Sequence, residues 1–345
     1  MNRKSINLAL QGGGAHGAFT WGVLDRFLDE EWLDYAAISG TSAGALNGAA
    51  FKAGYARAGR QGARASLDEL WSQVAESVDL RLERLMPAQL PGTEALTRWF
   101  DAFTPAAFID GMSRVFSPYD AGPFYVNPLS SVVERFRYRD VCAEEGPRLH
   151  VSATNVRTGK IRVFTGEEIT ADAILASACL PEIFQAVEIE DPKTGRTEAY
   201  WDGGYTGNPP LFPLFEPAYP RDVVVISINP LWRDEIPKTP AQIDERVNEI
   251  SFNSSLLREL RAINFVHRLI REDRLPEGAM KDVLIHMIAD DDVMGELSAK
   301  SKILPEWGML AKLKLAGRAA ADRWLDAHAD KIGKEASTDL QALFD

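Results

Sequence analysis

Cysteine is scarce in this chain, with only Cys142 and Cys179 among 345 residues. Two cysteines cannot supply a disulfide framework, and neither lies beside other cysteines or histidines at metal-ligand spacing. We interpret both as small buried side chains with reduced thiols.

Long apolar runs are missing as well. The first apolar run, residues 6–10, ends at Gln11 and three glycines, which is too short for the core of a signal peptide. No run of about 18 apolar residues follows, so we predict no transmembrane helix. These absences favour a soluble, cytoplasmic protein.

Positive charge is in deficit. The chain carries 38 lysines and arginines against 50 aspartates and glutamates, a formal net charge of -12. This balance gives no overall attraction for a nucleic acid backbone, so we predict no nucleic-acid partner. Hydrophobic residues make up 46% and charged residues 26%, which is ordinary usage for a globular chain with a sizeable core and excludes intrinsic disorder.

Two strand-to-helix junctions stand near the beginning of the chain. A short apolar strand at 6–10 leads into the glycines of residues 12–17, and a helical pattern of apolar residues follows. A second strand at 35–39 leads through residues 40–44 into a helix of small residues at 45–53. Two such junctions predict an α/β fold with parallel strands and crossover helices. Further strands are predicted at the apolar runs 149–153, 161–164, 223–228 and 283–288.

The residue pattern divides the chain into a predicted core and a predicted extension. Residues 1–235 form the predicted α/β core, in which residues 66–128 are helical and then rich in proline and aromatic residues, as in a cap-like insertion. Residues 236–345 are predicted as a mostly helical extension packed on the core. One large domain with appendages fits as well as two domains of roughly 150 residues.

A glycine loop follows the first strand. Gly12, Gly14 and Gly17 have the G-x-G-x-x-G spacing of dinucleotide-binding loops. That interpretation also needs an acidic residue at the end of the second strand, where residues 38–40 are Ile-Ser-Gly. The glycines can instead direct backbone N–H groups toward one point beside a helix N-terminus. Such a loop binds an anion, either a phosphate or the oxyanion of an attacked ester.

The second junction favours the oxyanion. Gly40, Ser42 and Gly44 form a G-x-S-x-G motif between a strand and a helix of small residues. This is the context of a nucleophile elbow, in which the serine occupies a sharp turn with its hydroxyl exposed above the sheet. A glycine-rich turn with an idle serine is the simpler alternative, and the glycine loop on the neighbouring strand argues against it.

A serine nucleophile needs a base, and no histidine lies in an obvious catalytic motif. His267 falls in a helical pattern and His286 in an apolar strand, where structural roles predominate. Asp202 precedes Gly203 and Gly204, which let the backbone turn its carboxylate into a site, although Asp-Gly also marks surface turns. A carboxylate with a pKa of about 4 is a weak base at neutral pH, so burial would have to raise that pKa.

These three motifs, in this order, resemble the patatin-like phospholipase family. Residues 12–17, Gly-Gly-Gly-Ala-His-Gly, match its oxyanion loop, and residues 40–44 match its nucleophile elbow. Asp202 with its two glycines matches the Asp-Gly-Ala/Gly segment of the family.

The resemblance extends over roughly residues 6–230. Residues 177–181, Ser-Ala-Cys-Leu-Pro, are similar to the segment that precedes the aspartate in the family, and Asn208-Pro209 to a pair that often follows it. Together the motifs imply a three-layer α/β/α sandwich with a mostly parallel central sheet, related to the α/β-hydrolases.

The resemblance also implies a catalytic Ser-Asp dyad without a metal or cofactor. Ser42 would attack the acyl carbonyl of a lipid or lipid-like ester, and Asp202 would accept its proton. An acyl-serine would form, and water activated by the same aspartate would hydrolyse it. The backbone N–H groups that would bind the oxyanion belong to Gly12, Gly13, Gly14 and Ala43.

One residue departs from the family pattern. His16 stands where the family usually has arginine or lysine. Because imidazole is mostly neutral at pH 7, the weaker charge argues against a strong preference for charged phospholipids and leaves uncharged esters open.

Two alternatives remain open from the sequence. The chain order Ser42, Asp202 and then His267 or His286 is that of an α/β-hydrolase triad. A non-catalytic lipid- or granule-binding protein could attach through the aromatic residues of 99–125 and the helical C-terminus. Because the chain is acidic, peripheral contact with a membrane or lipid granule would have to be apolar or local.

Overall fold

The computed structural model describes residues 3–85, 117–276, 278–297, 301–302 and 306–344. These residues form one eight-stranded sheet, which contains every strand that the apolar runs predicted. The strands are β1 Lys4–Leu10, β2 Leu33–Thr41, β3 Arg148–Asn155, β4 Ile161–Thr165, β5 Val187–Asp191, β6 Arg196–Asp202, β7 Asp222–Ile226 and β8 Leu284–Ile288.

The sheet order is β5-β6-β3-β2-β1-β7-β8, and β4 also pairs with β3. The five strands from β3 to β8 along this order are mutually parallel, whereas β4, β5 and β6 pair in the antiparallel sense. The parallel strands are mostly buried on both faces, and every residue of β7 is buried. Such strands need helices on each side.

Helices cover both faces of the sheet. Leu8 and Leu10 of β1 point into one apolar cluster and Ala9 into the other, as the alternation of a strand requires. The first cluster includes residues of the helices Ala18–Phe27, Ala43–Leu85, Ala171–Ser177 and Trp307–His328, and the second includes residues of the helix Pro240–Arg271, so the three-layer α/β/α sandwich is confirmed. The helices are α1 Ala18–Phe27, α2 Ala43–Leu85, α3 Ser130–Val133, α4 Tyr138–Val141, α5 Ala171–Ser177, α6 Pro240–Arg271, α7 Asp291–Gly295 and α8 Trp307–His328.

Residues after 235 contribute to the same layers. Strand β8 pairs with β7 and extends the sheet at that edge. Helix α8 lies so close to α1 that a Cβ at Gly22 would overlap the Lys314 carbonyl oxygen, and one at Gly317 would overlap that of Phe19. The small residues therefore let the two helix backbones approach.

The hairpin of β5 and β6 was not predicted from the sequence. Its strands carry charged residues at alternate positions, so they lack the continuous apolar signal of the parallel strands. Arg162 of β4 anchors this hairpin with an ion pair to Asp191 at 2.8 Å, and Asp191 also accepts a hydrogen bond from Tyr200. The hairpin matters because β6 ends at Asp202.

The predicted cap-like insertion is described in part. Its first residues belong to α2, which is interrupted by non-helical backbone at Ala58 and Gly59. Residues 86–116, which hold most of its aromatic side chains, lie outside the described residues. At its end, the Tyr125 hydroxyl accepts a hydrogen bond from the backbone N–H of Gln185 at 3.1 Å. Among the described helices, none combines the length and the apolar character needed to cross a membrane.

Candidate active site

Ser42 occupies a sharp turn between β2 and α2. Its φ of 54° lies in the left-handed region, which is costly for a residue with a side chain and is typical of a nucleophile elbow. A Cβ at Gly44 would overlap the carbonyl oxygen of Leu10, so the turn packs directly on the end of β1. A Cβ at Gly12 would come within 2.7 Å of the Ser42 Cβ. The elbow and the glycine loop are therefore in contact, as the sequence predicted.

Hydrogen bonds from distant segments hold the elbow. The backbone N–H of Ser42 donates to Ser177 Oγ at 2.9 Å, and Ser177 is the last residue of α5. Thr41 Oγ1 lies 2.6 Å from Ser152 Oγ and donates to the Gly207 carbonyl at 2.7 Å. The sequence marks Ser177 only as part of a segment similar to the family, because its role in the turn depends on tertiary packing.

Strand β3 brings Asp202 to the elbow. Ser152 of β3 pairs with Thr41, and the next residue, Ala153, pairs with Asp202. Strand β4 occupies one edge of β3 along residues 150–154. The other edge of β3 pairs first with β2, along residues 148–152, and then with β6, along residues 153–155. The carboxylate of Asp202 therefore lies next to the residue that follows β2, which is Ser42.

The Asp202 side chain is fully buried. Its Oδ1 accepts a hydrogen bond from the backbone N–H of Gly204 at 2.7 Å. Its Oδ2 is also buried and has no hydrogen-bond partner among the described residues. This free oxygen is available to accept a proton from a neighbouring hydroxyl.

Burial, with a smaller contribution from nearby Glu182, raises the pKa of Asp202 to about 7. The Gly204 N–H and the nearby Ser42 hydroxyl oppose it, since both stabilise the ionised carboxylate. The raised pKa is the condition that the sequence argument set for a carboxylate base. At neutral pH, Asp202 can exist in both protonation states, as a group that accepts and returns a proton must.

The glycine loop offers backbone donors beside Ser42. The N–H groups of Gly13, Gly14 and Ala43 make no hydrogen bond within the described part of the chain. The N–H of Gly12 differs, because it donates to Asn208 Oδ1 at 2.6 Å. Of the four donors proposed from the sequence, three are thus free to bind an oxyanion, and Gly12 serves to hold the loop.

Three polar side chains that the sequence did not point to hold the glycine loop in place through hydrogen bonds. Gln11 Oε1 accepts from the backbone N–H groups of Ile228 and Asn229, at 2.8 and 2.9 Å. Asn229 Nδ2 donates to the Gly12 carbonyl at 2.8 Å, and Asn253 of α6 accepts from Gln11 at 2.8 Å. The available signals were weak, since Gln11 merely precedes the glycines and Asn229 merely follows an apolar strand.

His16 is buried in the 3-10 helix that ends the loop, Gly14–Gly17. Its Nε2 lies 2.8 Å from Ser301 Oγ. Burial, together with the charges of Lys302 and Arg233, lowers the pKa of His16 to about 3. The imidazole is therefore neutral at physiological pH, in agreement with the weaker charge expected for this position.

The two histidines considered for a triad lie in other surroundings. His286 is fully buried in β8, with Nε2 3.0 Å from Asp222 Oδ1 and Nδ1 3.0 Å from Ser337 Oγ. His267 Nε2 lies 2.8 Å from the carbonyl of Val283. Strands β1 and β7 separate β8 from β2, so the geometry gives no support to a triad. Among the described residues, no group of three His, Cys, Asp or Glu side chains could hold a metal ion.

Comparison with solved structures finds proteins of low sequence identity. VipD from Legionella pneumophila has 13% identity and a TM-score of 0.41, with 94% of this chain and 67% of that chain covered. ExoU from the type III secretion system of Pseudomonas aeruginosa, in complex with SpcU, has 15% identity and a TM-score of 0.32. That match covers 93% of this chain and 53% of the other. No curated protein matches the chain.

A family model identifies the chain more directly. The model of the patatin-like phospholipases matches residues 8–215, which is more than half of the sequence. The matched range contains the glycine loop, the elbow and Asp202, the same motifs that the structure brings together. The chain belongs to the patatin-like phospholipase family.

Proposed function

We propose that this protein is a serine acyl hydrolase that cleaves lipid acyl esters through a Ser42-Asp202 dyad. The observation that carries the proposal is a fully buried carboxyl group with one unpartnered oxygen beside a serine in a left-handed turn. Membership of the patatin-like phospholipase family supports a lipid ester as the substrate class.

Acylation begins at Ser42. Its Oγ attacks the acyl carbonyl carbon while its proton passes to Asp202 Oδ2. The attack turns the carbonyl oxygen into an oxyanion, which accepts hydrogen bonds from the free N–H groups of Gly13, Gly14 and Ala43. Removing a single donor of this kind costs roughly 100- to 1000-fold in rate.

The tetrahedral intermediate then collapses. The bond between the acyl carbon and the alcohol oxygen breaks, and the leaving alcohol takes the proton from Asp202. Water next donates a proton to the ionised Asp202 and attacks the acyl-serine. In a second collapse the bond between the acyl carbon and Ser42 Oγ breaks, Asp202 returns its proton to Oγ, and the fatty acid is released. Because the pKa of Asp202 is about 7, the group can take and return a proton at neutral pH.

We further propose that substrate comes from a membrane or lipid granule that the protein contacts peripherally. Ile243, Val247 and Ile250 form an exposed apolar stripe on α6, and Trp232 lies exposed before this helix. Helix α6 is tied to the glycine loop through Asn253. These positions would present apolar side chains to lipid near the site, without needing an excess of positive charge.

The dyad is tested with Ser42→Ala and Asp202→Asn in the full chain. We expect each to lower kcat on short-chain nitrophenyl esters by about 1000-fold or more. Ser42→Ala should also abolish labelling by a fluorophosphonate, with peptide mapping of the wild type placing the label on Ser42.

Ser254→Ala is the matched control. Ser254 lies in α6 between Asn253, which accepts a hydrogen bond from Gln11, and Ser255, which accepts one from the backbone N–H of Asn208. The hydroxyl of Ser254 itself donates to the Ser251 carbonyl of its own helix. We expect this variant to keep wild-type rates. Normal turnover by purified, folded Asp202→Asn would refute the dyad, and a label on another residue would refute the nucleophile.

A further inference from the structure

The glycine loop carries no charge of its own. It consists of glycines, one alanine and His16, whose buried imidazole is neutral. A developing oxyanion is stabilised by nearby positive charge as well as by N–H donors, especially where water is excluded. A cation next to this loop must therefore come from another part of the chain.

Lys302 is that cation. Its carbonyl oxygen lies against the loop, because a Cβ at Gly14 would overlap it. Its neighbour Ser301 places Oγ 2.8 Å from His16 Nε2. The Lys302 ammonium donates to Asn229 Oδ1 at 3.1 Å. Three contacts thus hold Lys302 on the loop: its own carbonyl packs against Gly14, its neighbour Ser301 contacts His16, and its ammonium contacts Asn229.

Asn229 links the ammonium to an oxyanion donor. Its Nδ2 donates to the Gly12 carbonyl at 2.8 Å, and Asn208 Nδ2 reaches the same oxygen at 3.3 Å. That carbonyl belongs to the same planar peptide as the N–H of Gly13, and the two groups of a trans peptide point in opposite directions. Holding the Gly12 oxygen therefore directs the Gly13 N–H away from Asn229.

We propose that Lys302 is a positioning residue of the oxyanion hole. Its ammonium orients and polarises the Asn229 amide, which holds the Gly12-Gly13 peptide with its N–H directed at the reacting ester. The same charge adds positive potential beside the oxyanion. This inference rests on the proposed hydrolase function and adds the part of the chain that supplies the charge.

The charged groups around Lys302 come from two segments. Glu245 and Glu249 of α6 raise its pKa, whereas burial and Arg233 of the preceding loop lower it, and burial prevails. Glu249 is already paired with Arg233 at 2.5 Å. The ammonium should therefore lose its proton below the usual range of a lysine, and kcat of the wild type should fall at alkaline pH.

Lys302→Met and Lys302→Arg in the full chain test the inference, with kcat and KM measured on a soluble ester. We expect Lys302→Met to lower kcat by about 10- to 100-fold and to change KM by less than about twofold, since the lost interaction acts on the transition state. Lys302→Arg should keep kcat within about threefold of wild type. Its alkaline fall in kcat should disappear, because arginine stays charged.

Two further variants separate positioning from stability. Lys281→Met removes another partly buried lysine, which donates to the carbonyls of Leu214, Glu216 and Tyr219 away from the loop. It should lower Tm without changing kcat. The loss in a Lys302→Met/Asn229→Ala double variant should be smaller than the product of the two single losses, because both act on one peptide.

Three results would overturn the inference. One is a kcat of Lys302→Met within about twofold of wild type while Ser42→Ala is inactive, which leaves the hydrolase proposal standing. Another is an equal loss of kcat in Lys302→Met and Lys302→Arg, with the fall in kcat at alkaline pH unchanged in Lys302→Arg, since the charge of residue 302 would then be irrelevant. The third is a wild type that neither hydrolyses esters nor reacts with a fluorophosphonate, which would remove the proposed function as well.

Discussion

Replacing Asp202 with asparagine should abolish hydrolysis and yet stabilise the protein at alkaline pH. The Asp202 side chain has no exposed surface, and its Oδ2 has no partner among the described residues. Burial raises its pKa from 3.8 to about 7. An ionised carboxylate at this position is useful for catalysis but unfavourable for the folded state.

The magnitude follows from proton linkage. Between pH 3.8 and about 7 the folded protein holds a proton on Asp202 that the unfolded chain has lost, so stability falls as pH rises through this window. At about 1.4 kcal/mol per pH unit, the penalty is roughly 2 kcal/mol at pH 5.5 and roughly 4 kcal/mol at pH 8. Asparagine has no charge and escapes it. The stability of the variant relative to wild type should therefore increase by about 2 kcal/mol between these pH values.

Urea unfolding followed by tryptophan fluorescence at pH 5.5 and pH 8 measures this difference. Asp191→Asn is the matched control, because the pKa of Asp191 is perturbed in the opposite direction. Burial raises that pKa, but hydrogen bonds from Arg162 and Tyr200 outweigh burial and hold it at about 2. Both pH values lie above it, so the loss of stability in the control should be the same at each. A pH-independent difference between wild type and Asp202→Asn would refute the reasoning.

Two other substitutions test the packing of the elbow and the proposed lipid-facing surface of α6. Gly44→Ala should destabilise the protein by about 1–3 kcal/mol in thermal unfolding and remove esterase activity, because the new Cβ overlaps the Leu10 carbonyl. Gly308→Ala is the control, because a Cβ at this position meets no atom within 4 Å, and it should be neutral or slightly stabilising. An equal change in stability for Gly44→Ala and Gly308→Ala would contradict the prediction. Val247→Asp should weaken co-sedimentation with zwitterionic vesicles and leave hydrolysis of soluble esters unchanged. The exposed Leu315 of α8 gives the control, so a similar loss of vesicle binding in Leu315→Asp would count against the α6 surface.

Much of the fold could be predicted because the parallel strands and their junctions carry local signals. Most residues of β1 and β7 are apolar, since both faces of those strands are covered. The β5-β6 hairpin was not predicted because its strands are half exposed and carry charged residues. They therefore contain no continuous apolar run that would identify them as strands. The prediction of a mostly helical extension was correct for α6 and α8, but it could not show that α8 packs on α1.

The candidate site divides in the same way. The sequence alone determined that Ser42 lies in a glycine-flanked turn and that a glycine loop follows the neighbouring strand, because turn geometry depends on a few adjacent residues. Only the tertiary structure decided that Asp202 is buried beside Ser42, that Asn229 holds the loop, and that Lys302 lies on it. These contacts join segments far apart in the chain. Asp202 meets Ser42 because β3 pairs with both β2 and β6, and Asn229 reaches the loop because it follows β7, which pairs with β1. Burial and strand register are properties of the assembled sheet, and no short stretch of sequence contains them.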